Sequence, residues 1–171
     1  MSDLTPLAMT APAPPRALDL VTRALLGIAT ALILLIIVLI VAQVLARNLW
    51  NTGLPRAEEI ARFSGVLAVY FTAPLLALRG QHVAVDVFTN LMPRAPRLAC
   101  FVLAELGILA FALLTIWGGW LYLSRAWKFR TPALGMQNIW LFGPVVLSFA
   151  LLAIIVIWRI AATLRAGRAR P

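Results

Sequence analysis

Residues 56–92, RAEEIARFSGVLAVYFTAPLLALRGQHVAVDVFTNLM, hold the clearest structural signal in the chain. The segment opens with the acidic residues Glu58 and Glu59, runs without charge from Phe63 to Leu78, and then reaches Arg79. An apolar helix of about this length, with polar groups at both ends, is typical of a membrane span. We therefore predict a transmembrane helix here and place the rest of the chain around it.

The second half of this segment predicts a helix that lies on the membrane surface. Asp86 and Asn90 make it too polar to cross a bilayer, yet its other side chains are mostly apolar. Alternating valines would also suit a strand, but a lone strand beside lipid leaves backbone groups unpaired. An amphipathic interfacial helix is therefore favoured. Its apolar face would consist of Val83, Val87, Phe88, Leu91 and Met92.

Composition assigns the whole chain to an integral membrane class. Of 171 residues, 63% are hydrophobic and only 12% are charged, and the mean hydropathy is +0.95. Soluble domains have about 25% charged residues. The net charge of +9 comes from basic residues that flank the apolar runs rather than from a basic domain. These cations indicate topology and contact with membrane lipids, and we expect no nucleic-acid partner.

The apolar runs predict an all-α integral membrane protein with four transmembrane helices and an interfacial amphipathic helix between helices 2 and 3. Small residues in the third span, Ala104, Gly107, Gly118 and Gly119, would permit close approach of another helix. The predicted divisions are a mobile N-terminal tail (1–19), a four-helix membrane domain (20–160) and a basic C-terminal tail (161–171). Within the domain we predict spans at about 24–46, 57–78, 96–123 and 138–158, and the surface helix at about 82–92.

The distribution of basic residues predicts that both termini are cytoplasmic. With the amino terminus inside, nine of the 15 lysines and arginines, including Arg159 after the last span, lie on the inner side and six on the outer side. Inner loops carry the excess of such residues in membrane proteins. The surface helix would then lie on the cytoplasmic side.

Cysteine and histidine usage argues against redox or metal chemistry. The chain has one cysteine, Cys100, and one histidine, His82, so thiolate clusters and bis-histidine haem ligation are disfavoured. His82 and Asp86 are four residues apart, but two potential ligands are too few for a metal site. We expect no catalytic residue, no cofactor, no metal site and no enzyme activity.

The polar residues near the ends of the second span have two interpretations. Glu58, Glu59 and Arg62 would bind a coupling ion, or they would stabilise a helix amino terminus, with Arg62 pairing to Glu58 one turn away. A variant of the second interpretation has Arg56 or Glu59 contact a partner subunit. We favour the structural interpretation.

Glu105 is the most costly residue of the third span, because it lies about two turns inside an otherwise uncharged helix. It would serve ion coupling, or it would hydrogen-bond to a polar group such as Gln43, to a partner chain or to the interface. We again favour the structural interpretation, because the sequence pattern places no intramembrane base in the same chain that could work with this carboxylate.

Three motifs, in this order and spacing, resemble the small membrane subunit of tripartite ATP-independent periplasmic (TRAP) transporters, the DctQ-like proteins. The first is Arg47-Asn48 at the end of span 1. The second consists of two runs: Glu58-Glu59-Ile60-Ala61-Arg62 opens span 2, and Arg79-Gly80-Gln81-His82-Val83-Ala84-Val85-Asp86 follows it. The third is Thr131-Pro132-Ala133-Leu134-Gly135 before span 4, with Trp140 and Pro144 after it. The resemblance covers about residues 20–160.

The resemblance implies a four-helix subunit of a sodium-coupled secondary transporter in a bacterial inner membrane. Such a subunit assembles with a large, DctM-like membrane subunit and works with a periplasmic substrate-binding protein, for uptake of an organic anion such as a carboxylate. It would act as a scaffold. The residues expected to have structural or interface roles are Glu58, Glu59, Arg62, Arg79, His82, Asp86, Glu105, Trp140 and Pro144.

Two other classes remain as alternatives. An autonomous small exporter of the multidrug type would be shorter and would carry a glutamate in its first span, whereas no charge lies between Arg23 and Arg47. A non-catalytic subunit of a membrane enzyme or electron-transfer complex is disfavoured by the single histidine and single cysteine.

Overall fold

Four long helices form the protein in the computed structural model, which describes residues 15–79 and 94–168, with the backbone alone at 94, 95, 97, 98 and 166–168. Each helix is long and apolar enough to cross a membrane, so the predicted four-span, all-α class is confirmed. The predicted surface helix at 82–92, with His82 and Asp86, lies outside the described residues. The helices are α1 (Arg16–Trp50), α2 (Pro55–Arg79), α3 (Arg94–Ala126) and α4 (Ile139–Arg168).

Local sequence explains the tight connection between α1 and α2. Asn51 adopts a left-handed conformation (φ 49°), and its N–H donates to the Ala46 carbonyl, which is a common way to end a helix. Pro55 then starts α2, where its missing N–H costs nothing because the first helical N–H groups have no intrahelical partner. Only four residues separate the helices, so α1 and α2 are antiparallel neighbours.

Each helix is longer than the span predicted for it. The 35 residues of α1 would extend over roughly 52 Å at the usual helical rise, whereas the hydrocarbon core of a bilayer is about 30 Å thick. The helix begins at Arg16, eight residues before the predicted span at 24–46. The helices therefore continue beyond the apolar runs that predicted them, and hydropathy alone underestimates helix length.

The helices pack in the order α1, α2, α4, α3. The extensive contacts are between α1 and α2, between α2 and α4, and between α4 and α3. The row therefore has α2 and α4 in the middle, and α1 and α3 each have one main neighbour among the described helices. Most of α1 and α3 is consequently exposed, including Leu34, Val38, Leu103 and Leu114.

Phe149 of α4 lies at the centre of the core. It is 5% exposed, and its ring is 5.4 Å from the ring of Tyr70 in α2 and 5.8 Å from that of Phe111 in α3. One side chain thus contacts both neighbours of α4. The buried core around it is mostly apolar: Ala77, Leu78, Ala112, Val145, Leu152, Ala153, Ile155 and Val156.

Among the helices that the structure describes, one of the three glycines predicted to permit close packing of α3 lies against a neighbour. A Cβ atom placed on Gly119 would lie 2.5 Å from Cγ2 of Val146 in α4, whereas Cβ atoms on Gly107 or Gly118 would meet no atom within 4 Å. For Gly107 and Gly118, close approach of another helix therefore stays a prediction. The spacing of small residues does not reveal which side of a helix its neighbour occupies.

We expect Gly119→Ala to destabilise the protein by about 1–3 kcal/mol, because valine is stiff and α3 would have to move away from α4. Gly118→Ala is the matched control, since the same methyl group enters open space and alanine favours the helix. Unfolding of both variants in the same detergent would test this prediction. Equal stability of the two variants would contradict the close contact.

Candidate functional site

A buried carboxylate ties the beginning of α2 to the loop between α3 and α4. Glu59 is 6% exposed, and its Oε2 atom accepts hydrogen bonds from the backbone N–H groups of Ala133 (2.8 Å) and Leu134 (2.9 Å). Oε1 is also buried and has no hydrogen-bond partner in the described part of the chain. The negative charge is therefore stabilised mainly by two successive backbone amides, which form a small anion-binding concavity.

The loop that binds Glu59 is shaped by its own sequence. The Thr131 N–H donates to the Met136 carbonyl (2.8 Å), and the Met136 N–H donates to the Thr131 hydroxyl oxygen (3.1 Å). Gly135 has φ +68°, a conformation that costs glycine little but strains other residues. The loop is thus held in a fixed turn that presents two adjacent N–H groups to α2.

The neighbouring acid, Glu58, has a different environment. Its carboxylate pairs with Arg62 at 3.0 Å, and the two side chains are 62% and 67% exposed. The structure therefore contains the pair predicted from the i,i+4 spacing. It also separates two glutamates that the sequence presents as one acidic pair, because Glu58 faces outward and Glu59 faces the loop.

A second polar centre joins three helices at the other end of α2. Arg159 of α4 is 7% exposed and Glu105 of α3 is 2% exposed, and their side chains form an ion pair at 3.0 Å. The same guanidinium donates through Nη1 to the backbone carbonyl of Ala77. Its central carbon lies 5.5 Å from the ring of Phe101, as in a cation–π contact. Arg159 thus contacts α2 and α3 from α4.

Physical chemistry explains why Ala77 accepts this hydrogen bond. The last four carbonyl groups of a helix have no intrahelical partner, and they form the negative end of the helix dipole. Ala77 lies two residues before the end of α2 at Arg79. A cation at this position satisfies the free carbonyl and is favoured by the dipole, so Arg159 acts as a cap supplied by a different helix.

A third link lies between these two centres. The hydroxyl of Ser148 donates to the backbone carbonyl of Tyr70 at 2.5 Å. Positions 59, 70 and 77 of α2 are eleven and seven residues apart, close to whole helical turns, so all three links lie on one face of α2. The first and last links are roughly 27 Å apart along the helix axis. This face, which we call the linked face of α2, holds α4 and the loop before it.

The remaining predicted residues are dispersed. Gln43 donates weakly to the Leu54 carbonyl (3.5 Å) rather than to Glu105, so the suggested Gln43–Glu105 bond is absent. Arg79 is exposed at the end of α2, and Trp140 is 71% exposed. Pro144 lies inside α4, five residues after its start. The structure therefore brings together Glu59 with a loop and Glu105 with Arg159, but the predicted residues that it describes do not form one site.

Sequence reasoning missed Arg159, which it counted as a charge of the inner side following the last span. The helix continues to Arg168 and Arg159 is buried in the bundle, so its predicted position beyond the span was wrong. A signal was available: Arg159 lies eleven residues after Ser148, on the same helical face, and that face also carries Leu152 and Val156.

The described residues contain no group of three or more histidine, cysteine, aspartate or glutamate side chains arranged to hold a metal ion. Their buried charges instead join helices to one another. Four apolar helices joined by a few buried polar links thus form a helical bundle of the kind that crosses a membrane. Residues 36–166 match the family described as tripartite ATP-independent periplasmic transporters, DctQ component.

This chain belongs to the DctQ family. Two proteins of Haemophilus influenzae whose names describe them as TRAP transporter small permease proteins are similar to it. One is 24% identical over 137 residues, which cover 80% of this chain and 85% of the relative. The other is 25% identical over 118 residues, which cover 69% of this chain and 71% of the relative.

The family places this DctQ chain in a transporter, as a small multi-pass membrane subunit of a tripartite system. The match includes Glu59, Glu105 and Arg159, so both buried polar centres lie within the region that defines the family. The expectation from the three sequence motifs is therefore confirmed at the level of family and subunit type.

Proposed function

We propose that this chain is the scaffold subunit of a sodium-coupled TRAP transporter, and that it assembles with a large, DctM-like membrane subunit. The complex takes up an organic anion such as a carboxylate, which a periplasmic substrate-binding protein delivers. The sodium and substrate sites belong to the large subunit. The small subunit itself does no chemistry and carries no transported ion.

One observation carries this proposal: the buried charged side chains make contacts within the chain. Glu59 binds the loop between α3 and α4, and Glu105 binds Arg159. A residue that binds a transported ion must exchange partners during each cycle, whereas these groups are used to fix helix positions. Fixed helices are what a scaffold requires while a neighbouring transport domain moves.

The open order of the helices provides surfaces for assembly. Since α1 and α3 each have one main neighbour, both present long apolar faces, which include Ile37, Val38, Leu103 and Trp117. Apolar helix faces in a membrane pack against lipid or against another membrane protein. We place the large subunit against one of these outer faces and lipid against the rest of the surface.

We further propose that the complex lies in a bacterial inner membrane with both termini of this chain in the cytoplasm. Because Arg159 is buried, it no longer counts as a loop charge, and the comparison becomes eight inner against six outer basic residues. The end of the bundle that contains the loop bound by Glu59 would then face the periplasm. Its basic residues Arg56, Arg125, Lys128 and Arg130 suit contact with an acidic surface of the binding protein.

Reconstituted vesicles would test the proposal. Uptake is measured in proteoliposomes that contain this chain alone, the large subunit alone or both, each with the binding protein and with or without a sodium gradient. We expect uptake only when both membrane subunits and the gradient are present. Uptake by this chain alone would overturn the scaffold role, and full uptake by the large subunit alone would show that the small subunit is not required.

Co-purification separates assembly from transport. A tag on the large subunit should retain this chain in a detergent that preserves membrane complexes, whatever the uptake rate. A failure to co-purify in several such detergents and in lipid nanodiscs would contradict the proposed assembly even if some uptake were seen.

A further inference from the structure

Helices α2 and α3 depend on α4 for their relative position. Both contact α4 extensively, although α2 also packs against α1, and the contacts between α2 and α3 are slight by comparison. The apolar contacts of Phe149 reach both helices at the level of Tyr70 and Phe111. Toward the end of α2, a polar contact is added to the apolar packing of Ala77 and Leu78, because the Ala77 carbonyl there has no intrahelical partner and accepts from Arg159.

Arg159 has the geometry for that task. Its Nη2 atom contacts Glu105 of α3 at 3.0 Å, and its Nη1 atom donates to the Ala77 carbonyl of α2. A guanidinium is planar and presents separate N–H groups in a fixed fork, so one side chain can hold two acceptors at a fixed angle. The Arg159 and Glu105 side chains are 7% and 3% exposed, so water competes little for these contacts.

We propose that Arg159 is a positioning residue that fixes the carboxyl end of α2 relative to α3. The inference goes beyond the scaffold role, because it assigns the rigidity of one end of the bundle to a single side chain. Both contacts are required: the ion pair holds α3, and the hydrogen bond to Ala77 holds α2. Loss of either contact frees one helix end while the Phe149 level of the bundle stays packed.

Distance measurements between spin labels would test this in the purified full-length chain. Cys100→Ser first removes the native cysteine. New cysteines then replace Leu76 in α2 and Leu103 in α3, which are both exposed, and each carries a spin label. A second labelled pair, at the exposed positions Val69 and Leu114, measures the distance between α2 and α3 where Phe149 packs against both helices. In the parent protein we expect one narrow distance peak for each pair.

In Arg159→Gln we expect the Leu76–Leu103 peak to become broad or multiple and the Val69–Leu114 peak to stay narrow. Arg165→Gln, which removes a charge from an exposed position of the same helix, should change neither peak. A narrow Leu76–Leu103 peak in Arg159→Gln would overturn the proposal. Broadening of the distance peaks of both pairs would also overturn the proposal, because Arg159 would then stabilise the whole bundle and would not position one end specifically.

Arg159→Lys keeps the buried charge and therefore tests the proposal if the glutamine variant does not fold. A lysine ammonium is a point charge without the planar fork, so it can pair with Glu105 but cannot hold both acceptors in the same geometry. We expect broadening of the Leu76–Leu103 peak in this variant as well. A distribution equal to that of the parent would show that charge alone suffices and would overturn the two-contact proposal. These distances concern the isolated chain, so they stand or fall independently of the proposed assembly and uptake.

Discussion

Glu105→Ala is expected to lower the free energy of unfolding by about 3–5 kcal/mol, the largest effect we predict for a single substitution. The reason lies in Arg159, which would keep its buried charge and lose its ionic partner. An unpaired buried cation is costly because the protein interior and the hydrocarbon solvate charge poorly. Unfolding in mixed micelles, followed by helical circular dichroism, would measure the loss.

Two comparisons make this prediction specific. Glu58→Ala removes a glutamate from an exposed pair of the same length, 3.0 Å, and should cost at most about 1 kcal/mol. The double replacement Glu105→Leu with Arg159→Met should cost less than Glu105→Ala, because no unpaired buried charge remains. A Glu105→Ala loss no larger than that of Glu58→Ala would contradict the burial of the ion pair.

The features that could be predicted from the sequence are those set by local pattern. Four apolar runs define four helices, because lipid requires each backbone to satisfy its own hydrogen bonds. The i,i+4 spacing of Glu58 and Arg62 predicts their contact, because the helix alone brings them together.

The contacts that could not be predicted depend on the order in which the helices pack. Glu59 accepts hydrogen bonds from residues 74 and 75 positions later, and Arg159 donates to a carbonyl 82 positions earlier. Hydropathy shows that α4 crosses the membrane but does not show that it lies between α2 and α3. Without that order, the helical face that Arg159 shares with Ser148 suggests burial but does not identify Glu105 and Ala77 as its partners.

Packing between distant segments also explains why Glu58 is exposed and Glu59 is buried. Adjacent residues of a helix point about 100° apart, so one can be exposed while the other is buried. Which of the two is buried follows from the position of the loop at 131–136, and a local pattern contains no information about it. The acidic pair was thus recognised from the sequence, whereas the separate roles of its members required the structure.

We expect Glu59→Ala to lower the free energy of unfolding by about 1.5–3 kcal/mol, with a local effect on the loop between α3 and α4. The substitution removes the acceptor of two backbone hydrogen bonds and leaves the N–H groups of Ala133 and Leu134 without it. Part of the loss is offset, because the buried Oε1 atom, which lacks a hydrogen-bond partner in the described part of the chain, is removed too. The decisive measurement is therefore hydrogen exchange at these two amides.

Exchange at Ala133 and Leu134 should become faster in Glu59→Ala, because both amides lose the carboxylate that protects them. Exchange in the middle of α4 should change less, since Ser148 and Phe149 still hold that helix to α2.

In Glu59→Gln, the exchange rates of the two amides should lie between those of the parent and of Glu59→Ala, because a carboxamide oxygen still accepts hydrogen bonds but carries no charge. Glu58→Ala, one residue away and exposed, should leave both amides protected. Unchanged exchange in Glu59→Ala would mean that the loop keeps its shape through the Thr131–Met136 bonds alone, and Glu59 would then have no part in joining it to α2.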